Sequence, residues 1–356
     1  MPDKPYKNLN VAFFVYPSAF QSPGGGEVQL IKTKQALESF GVNVKLFDTW
    51  TDKLQDFDIL HVFGSVKDCL PMMEVAHQKK VKIALSTICW YSWKSAIGTY
   101  GSLLSKSLAI SRQAAKEIAP FLPSRRKKMM QISDILLPNS QIEADQLRRY
   151  FGAALPKIHV VPNGVDESFA ESNPNLFLKH YPKLHGCVLC VGRIEPRKNQ
   201  LNMVRALRDT DIPFAVVGDP VPQYQDYYDL CRREATPNIH FLGGFPNESG
   251  LLKSAYAACK VFLLASWLET PGLAALEAGL AGGQVVVTSE GATREYFANY
   301  ALYTDPASPR EIFSRVKTSL SMPVSSDLRQ HLLTNFTWRH VAEKTLSAYR
   351  SIICKV

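Results

Sequence analysis

The stretch Ala265-Ser266-Trp267-Leu268-Glu269-Thr270-Pro271-Gly272-Leu273-Ala274-Ala275-Leu276-Glu277-Ala278-Gly279 decides the fold. Ahead of it runs Val261-Phe262-Leu263-Leu264, an apolar string of the length expected for a buried parallel strand. Thr270 suits an N-cap, Pro271 the first helical position, and Gly272 lets another group approach the backbone closely. The spacing predicts strand, tight turn, and a helix whose start is nearly bare of side chains. The free N–H groups and the dipole of such a start attract phosphate. Glu277 lies about 9 Å past Pro271 along the helix, at ~1.5 Å per residue, while Glu269 stays at the strand end. Two carboxylates then flank an anion seat, placed to hydrogen-bond hydroxyls on either side of a diphosphate. A nucleotide sugar has that layout of hexose, two phosphates and ribose. The competing reading is an ordinary strand–helix unit with two surface acids.

Upstream, 188–192 reads as another strand, followed by Arg193-Ile194-Glu195-Pro196-Arg197-Lys198-Asn199 and a helical pattern through Leu201, Val204, Ala206 and Leu207. Arg193 and Lys198 would stand at a strand's carboxyl end, where open α/β sheets bind ligands. Each is able to donate to a phosphate oxygen, Arg as a fork and Lys as a point charge. Strands at 214–218, 239–243 and 284–288 continue the series, the last leading into a Ser289-Glu290-Gly291-Ala292 loop.

The first half alternates in the same way. A strand at 11–16 meets Ser22-Pro23-Gly24-Gly25-Gly26-Glu27, and a helix follows up to Gly41. Strand, glycine loop and helix form a second anion cradle, at Gly25 and Gly26, without the Gly-x-Gly-x-x-Gly spacing of a nicotinamide-cofactor site. Strands at 42–47, 59–63, 81–86 and 135–139 imply parallel βαβ units. Ser140 and Glu143 match a capping box. Asp56-Phe57-Asp58 opens a strand, so it is assigned to structure and not to metal. The chain therefore divides into an N-terminal Rossmann-like domain over 1–168, joined by a final helix at about 338–356, and a C-terminal domain over 186–337. The polar, proline-punctuated stretch 169–185 is expected to be a linker.

Composition agrees with an enzyme of two domains. There are 356 residues, 46% hydrophobic and 21% charged, enough for each half to bury its own core. No apolar run approaches the ~18 residues of a membrane span. Val11 to Val15 follows Lys4 and Lys7 but lacks a cleavage site, and reads as a strand rather than a signal peptide. Seven scattered cysteines point to a reducing, cytoplasmic setting. Cys187 and Cys190 fall on one strand, facing opposite sides, which argues against a redox or zinc pair. The formal charge is +9. Between 105 and 160 there are ten Lys/Arg against four Asp/Glu, densest at Arg125-Arg126-Lys127-Lys128. Three readings stay open for it: a solvated surface, peripheral contact with an anionic membrane, or an anionic acceptor. Nucleic acid is not expected, since no recognition motif accompanies the charge.

The glycine loop, the Gly192-Arg193-x4-Lys198-Asn199 run and the Glu269-x7-Glu277 pair follow one another in that order across nearly the whole chain. With Lys157-Ile158-His159-Val160-Val161-Pro162-Asn163-Gly164-Val165-Asp166, they make the sequence resemble the retaining glycosyltransferases of family GT4. That resemblance implies the GT-B fold, two Rossmann-like domains facing each other across a cleft. It implies a nucleotide-diphosphate sugar as donor, a glycan, lipid-linked or other hydroxyl acceptor, and no cofactor or metal. Arg193 and Lys198 would neutralise the leaving diphosphate, Glu269 would bind sugar hydroxyls, and Glu277 would hold ribose. The backbone of Gly25, Gly26, Gly272, Leu273 and Gly291 would line the donor.

One position departs from the pattern. Members of the family often carry a histidine just past the strand at 81–86, near the sugar 6-hydroxyl. Here Cys89 stands about there, followed by Trp90, and a thiol is a poor donor to a hydroxyl. A deoxy sugar or pentose would suit this site. The rivals are an epimerase or hydrolase of the same fold, and a catalytically inactive partner subunit that binds a nucleotide sugar.

Overall fold

The computed structural model describes residues 9–21, 24–98, 103–118, 122–247 and 249–353. Two parallel sheets carry the chain. The first contains β1 (Asn10–Phe14), β2 (Asn43–Leu46), β3 (Ile59–Phe63), β4 (Lys82–Ser86) and β5 (Ile135–Leu137), in the order β2-β1-β3-β4-β5. The second contains β6 (Val188–Val191), β7 (Phe214–Val217), β8 (Ile239–Phe241), β9 (Val261–Leu264), β10 (Gln284–Thr288) and β11 (Leu302–Thr304), in the order β11-β10-β9-β6-β7-β8. Strands such as Val261–Leu264 and Ile59–Phe63 are buried at every residue, because helices cover both faces of a parallel sheet. Two Rossmann-like domains of the GT-B type result. β11 has no counterpart among the expected strands; three residues are too few to show a period.

The chain separates into two compact units, one of residues 1–91, 114–164 and 336–356, the other of 92–113 and 165–335. In the first, the closing helix Trp338–Ile353 presents Val341, Leu346 and Tyr349 to the core it shares with Leu30 and Leu37 of the Gly25–Ser39 helix. The Pro162-Asn163-Gly164 turn abuts the start of that closing helix. A methyl on Gly164 would lie 2.6 Å from the Trp338 nitrogen. Asp58 plays the structural part expected of it, accepting the Asn10 N–H at 2.8 Å where β3 begins beside β1.

The expected linker is an ordered part of the second unit. Its 3₁₀ turn Glu167–Glu171 and helix Asn175–His180 bury Phe169 and Phe177. Ser254 accepts the Phe177 N–H at 2.8 Å, Lys253 donates to Ser168 at 2.7 Å, and Phe169 meets the Tyr256 ring edge-on. Widely spaced aromatic anchors in a polar stretch leave no period to read.

One buried polar residue makes the first unit sensitive to acid. His61, at the middle of β3, is 1% exposed and bonds Tyr349 Oη at 2.6 Å and Ser86 Oγ at 2.9 Å. Burial pushes its pKa down from 6.5 to about 3. The folded state then stays neutral while the unfolded chain takes up a proton. Stability is complete above pH 6.5 and declines as pH falls toward 3, by about 2 kcal/mol at pH 5 for this group. Thermal midpoints at pH 7.5 and 5.0 should fall further in the wild type than in His61→Gln. Equal falls would show that His61 does not titrate this way.

Candidate active site

In the second sheet the strand order reverses between β6 and β9, which pair at Val188–Val261 and Leu189–Phe262. Helices leaving these two strands go to opposite faces, and a crevice opens at their carboxyl ends. The residues expected to act leave from those ends. After β6 the chain makes a 3₁₀ turn, Pro196–Lys198, and Asn199 takes a left-handed conformation at φ 61° before the helix Gln200–Leu207. Asn199 donates from Nδ2 to the carbonyls of Ala265 and Pro306, both at 2.8 Å. This ties the Lys198 turn to the end of β9.

Lys198 Nζ consequently sits 2.6 Å from Glu269 Oε1, the two side chains being 17% and 6% exposed. Burial works to raise the Glu269 pKa. Lys198 first, then Arg197, outweigh it and hold the carboxyl below its usual value. Glu269 is therefore ionised at neutral pH. Arg193 is more open, its Nη2 lying 3.6 Å from Glu195, which also receives Arg197 at 3.2 Å. Arg197 Nη1 reaches the Leu268 carbonyl as well, at 3.3 Å.

The helix after Glu269 starts later than expected. It runs Leu273–Ala281, and its N-cap is Gly272 at φ 76°, ψ 70°, not Thr270 with Pro271 as first helical residue. The backbone of Glu269 is still engaged as a strand would be, bridging to Gly291 and accepting the Ala292 N–H at 3.0 Å. The turn must follow, so 270–272 make it, in a conformation that costs a residue with a Cβ. Ala275 and Leu276 donate to the Gly272 carbonyl, and the amides of Leu273 and Ala274 precede those bonds at the open helix end. Glu277, one turn on, accepts Tyr256 Oη at 2.7 Å. Gly291 packs so close that a methyl there would stand 1.9 Å from the Glu269 carbonyl oxygen.

Residues 181–335, which include every one of these groups, match the family of glycosyl transferases group 1. The chain is similar to that family over this stretch, which is less than half of its length. It is 27% identical to a D-inositol 3-phosphate glycosyltransferase of Kribbella flavida over 67% of its length, and 29% identical to a 2-deoxystreptamine glucosyltransferase of Streptomyces kanamyceticus over 60%. The chain spans 62% and 59% of those two relatives. Its fold is similar to that of Anabaena HepE in complex with UDP and glucose, with a TM-score of 0.72 and 17% identity over 97% of this chain and 100% of that one. A sucrose-phosphate synthase from Thermosynechococcus elongatus matches with a TM-score of 0.70 and 14% identity over 98% and 100%.

The first unit holds the other candidates. Gly25 and Gly26 are not a loop; they are the first two residues of the Gly25–Ser39 helix, whose N-cap is Gly24. Glu27 closes the start, accepting the Gly24 N–H at 2.7 Å and Tyr16 Oη at 3.1 Å. Cys89 is 2% exposed, its thiol directed at Tyr91 Oη at 3.8 Å, and burial raises its pKa.

The basic region is partly spoken for. Arg126 donates to the Ser65 carbonyl and Tyr91 Oη, Lys128 pairs with Glu74, Arg149 with Glu117, and Lys157 with the carbonyls of Gln131 and Ser133. Arg125, Lys127 and Lys128 line a cavity of about 640 Å³ with Leu70 and Ile132. Among the described residues no helix is long and apolar enough to cross a membrane.

Sequence reasoning gave no role to Arg197 or Lys94, and none to Asn199 beyond its place in the Gly192–Asn199 run. The helix Trp93–Gly98 belongs with the second unit, where Lys94 Nζ stands 3.1 Å from Glu290 and 3.3 Å from Asp305, beside the Gly291 loop. Only the Asn199 position had a local signal, since Asn is among the few residues that tolerate the left-handed region.

Proposed function

We propose that the chain is a retaining, metal-independent glycosyltransferase of the GT4 kind, acting on a nucleotide-diphosphate sugar and a glycan, lipid-linked or other hydroxyl acceptor. The observation that carries this reading is the buried Lys198–Glu269 pair beside the open start of the Leu273–Ala281 helix. A cation and a row of amides there face the place where diphosphate charge would grow, and stabilisation aimed at developing charge is what speeds such a step. Arg193 and Lys198 act on the phosphates, and Gly272, Leu273 and Gly291 offer backbone. Glu277 takes ribose hydroxyls and Glu269 sugar hydroxyls. In the first unit, Gly25 and Gly26 contribute amides to the donor. The acceptor oxygen bonds to the anomeric carbon as the bond to diphosphate breaks, and its proton passes to the departing phosphate. Attack from the leaving group's own side retains configuration.

The named relatives include a glucosyltransferase, so hexose donors are the first to test. The buried Cys89 thiol offers a sugar 6-hydroxyl no useful donor, which favours a deoxy sugar or pentose. The same feature favours the second reading, a nucleotide-sugar-binding partner without turnover. Among the described residues, six free and buried cysteines suit a cytoplasmic enzyme. The cavity beside Arg125 and Lys127 suits an anionic acceptor or a peripheral contact with anionic lipid.

A thermal-shift screen of UDP-glucose, GDP-mannose, UDP-xylose and a deoxysugar nucleotide tests the reading. A true donor at a hundred times its Kd should stabilise the protein by about 2.7 kcal/mol. Labelled donor then separates transfer to an acceptor from release to water or no reaction. If no nucleotide sugar shifts the midpoint, the donor reading is wrong.

A further inference from the structure

At the carboxyl edge of the first sheet, Glu143 does more than cap its helix. Ser140 Oγ accepts the Glu143 N–H at 3.1 Å, which is the expected half of a capping box. The Glu143 carboxylate, 0% exposed, is spread over two other segments. Oε2 accepts the Asn139 N–H at 2.8 Å. Oε1 accepts the Cys89 N–H at 2.7 Å and the Thr87 hydroxyl at 2.5 Å. A buried carboxylate bound by several N–H and O–H donors is a strong, directional anchor.

Between Thr87 and Cys89 stands Ile88, at φ 41°. A β-branched side chain is a genuine outlier in that region, and it persists only where surrounding bonds over-determine it. Glu143 supplies those bonds on both sides. Ile88 Cδ1 in turn lies 3.8 Å from where a methyl on Gly26 would be, so it covers the start of the Gly25–Ser39 helix. A second link runs the same way. Gln29 of that helix, 4% exposed, donates to the Asn139 side chain at 3.1 Å, and the Asn139 N–H is the one that Glu143 holds.

We propose that Glu143 is a positioning residue: its carboxylate holds the left-handed turn at Ile88 and, through Ile88 and Asn139, sets the place of the Gly25–Gly26 helix start. The catalytic consequence rests on the reading of Gly25 and Gly26 as donor contacts; the structural linkage does not. A rigid supporting shell of this sort matters because misplacement of about 1 Å is able to cost 10²-fold in rate.

Amide hydrogen exchange on the full chain tests the linkage without any ligand. In Glu143→Gln, exchange at Cys89, Val28 and Gln29 should rise at least about tenfold, while β11 amides keep their protection. In Ile88→Gly, where Glu143 keeps its partners, Cys89 should stay protected while Val28 and Gln29 loosen; this variant decides the matter if Glu143→Gln does not fold. Protected Val28 and Gln29 in either folded variant would overturn the proposal. With UDP-glucose, or the donor found by screening, both variants should lose about 100-fold in kcat with the Kd for UDP within about twofold, since Arg193, Lys198 and Glu277, assigned to the phosphates and the ribose, are all in the second unit. Equal loss in UDP affinity would mean general loosening and overturn a positioning role. A wild type inactive with every donor would instead count against the transferase reading and leave the exchange result standing.

Discussion

Lys198→Ala is expected to cut transfer at least ~100-fold and to destabilise the second unit by roughly 3–5 kcal/mol. The two effects have separate causes. The rate falls because a cation no longer meets charge on the leaving diphosphate. Stability falls because Glu269 is left buried with its nearest positive partner gone. Burial, already the largest influence on that carboxyl, then prevails and its pKa rises. Arg193→Ala offers the contrast. Its side chain is 42% exposed and its acid contact is 3.6 Å away, so it should lose a similar factor in rate with under about 1 kcal/mol in stability. Changing Lys198 to Met together with Glu269→Gln removes both charges. It should recover most of the stability and none of the rate. Urea unfolding and initial rates on these variants decide the point; near-normal turnover in both alanine variants would remove the pair from the mechanism.

Gly291→Ala is expected to destabilise the second unit by roughly 3–5 kcal/mol, near the upper end for single substitutions, and to abolish measurable transfer. Its Cβ would lie 1.9 Å from the Glu269 carbonyl oxygen, and its φ of 98° already strains any L side chain. Backbone cannot swing away as a side-chain tip would. The bridge between Glu269 and Gly291 has to open, moving the carboxylate beside Lys198. Gly186→Ala is the control, since it has a comparable φ of 67° and nothing within 4 Å of the added methyl. It should cost only the strain of about 1–2 kcal/mol. Equal damage from both substitutions would show that strain, not the contact with Glu269, governs position 291.

The strands were legible where the chain wrote them in apolar runs. Val261-Phe262-Leu263-Leu264 and Val285-Val286-Val287 are buried on both faces, and a sheet covered by helices leaves no polar face to interrupt them. The site was legible in part because Arg193, Lys198 and Glu269 stand just past such runs, where parallel strands present their ends. The helix start at Gly272 was misjudged by two residues. Thr270 and Pro271 carry the local signals of a cap, but Glu269 is still held by Gly291 and Ala292, and tertiary pairing outranks local preference. The stretch 169–185 looked like a linker because its anchors, Phe169 and Phe177, are too few for a pattern.

The sequence by itself determined the alternation of strand and helix, the two Rossmann-like halves and the residues gathered at the carboxyl ends of β6 and β9. All of that follows from periodicity and from turn chemistry within a few residues. Only the tertiary structure decided that Lys198 meets Glu269 across 71 positions, that Asn199 pins their turn, and that Glu143 grips Thr87 from 56 positions away. A buried hydrogen bond is satisfied by whatever the fold brings within 3 Å of it, and that choice leaves no spacing along the chain.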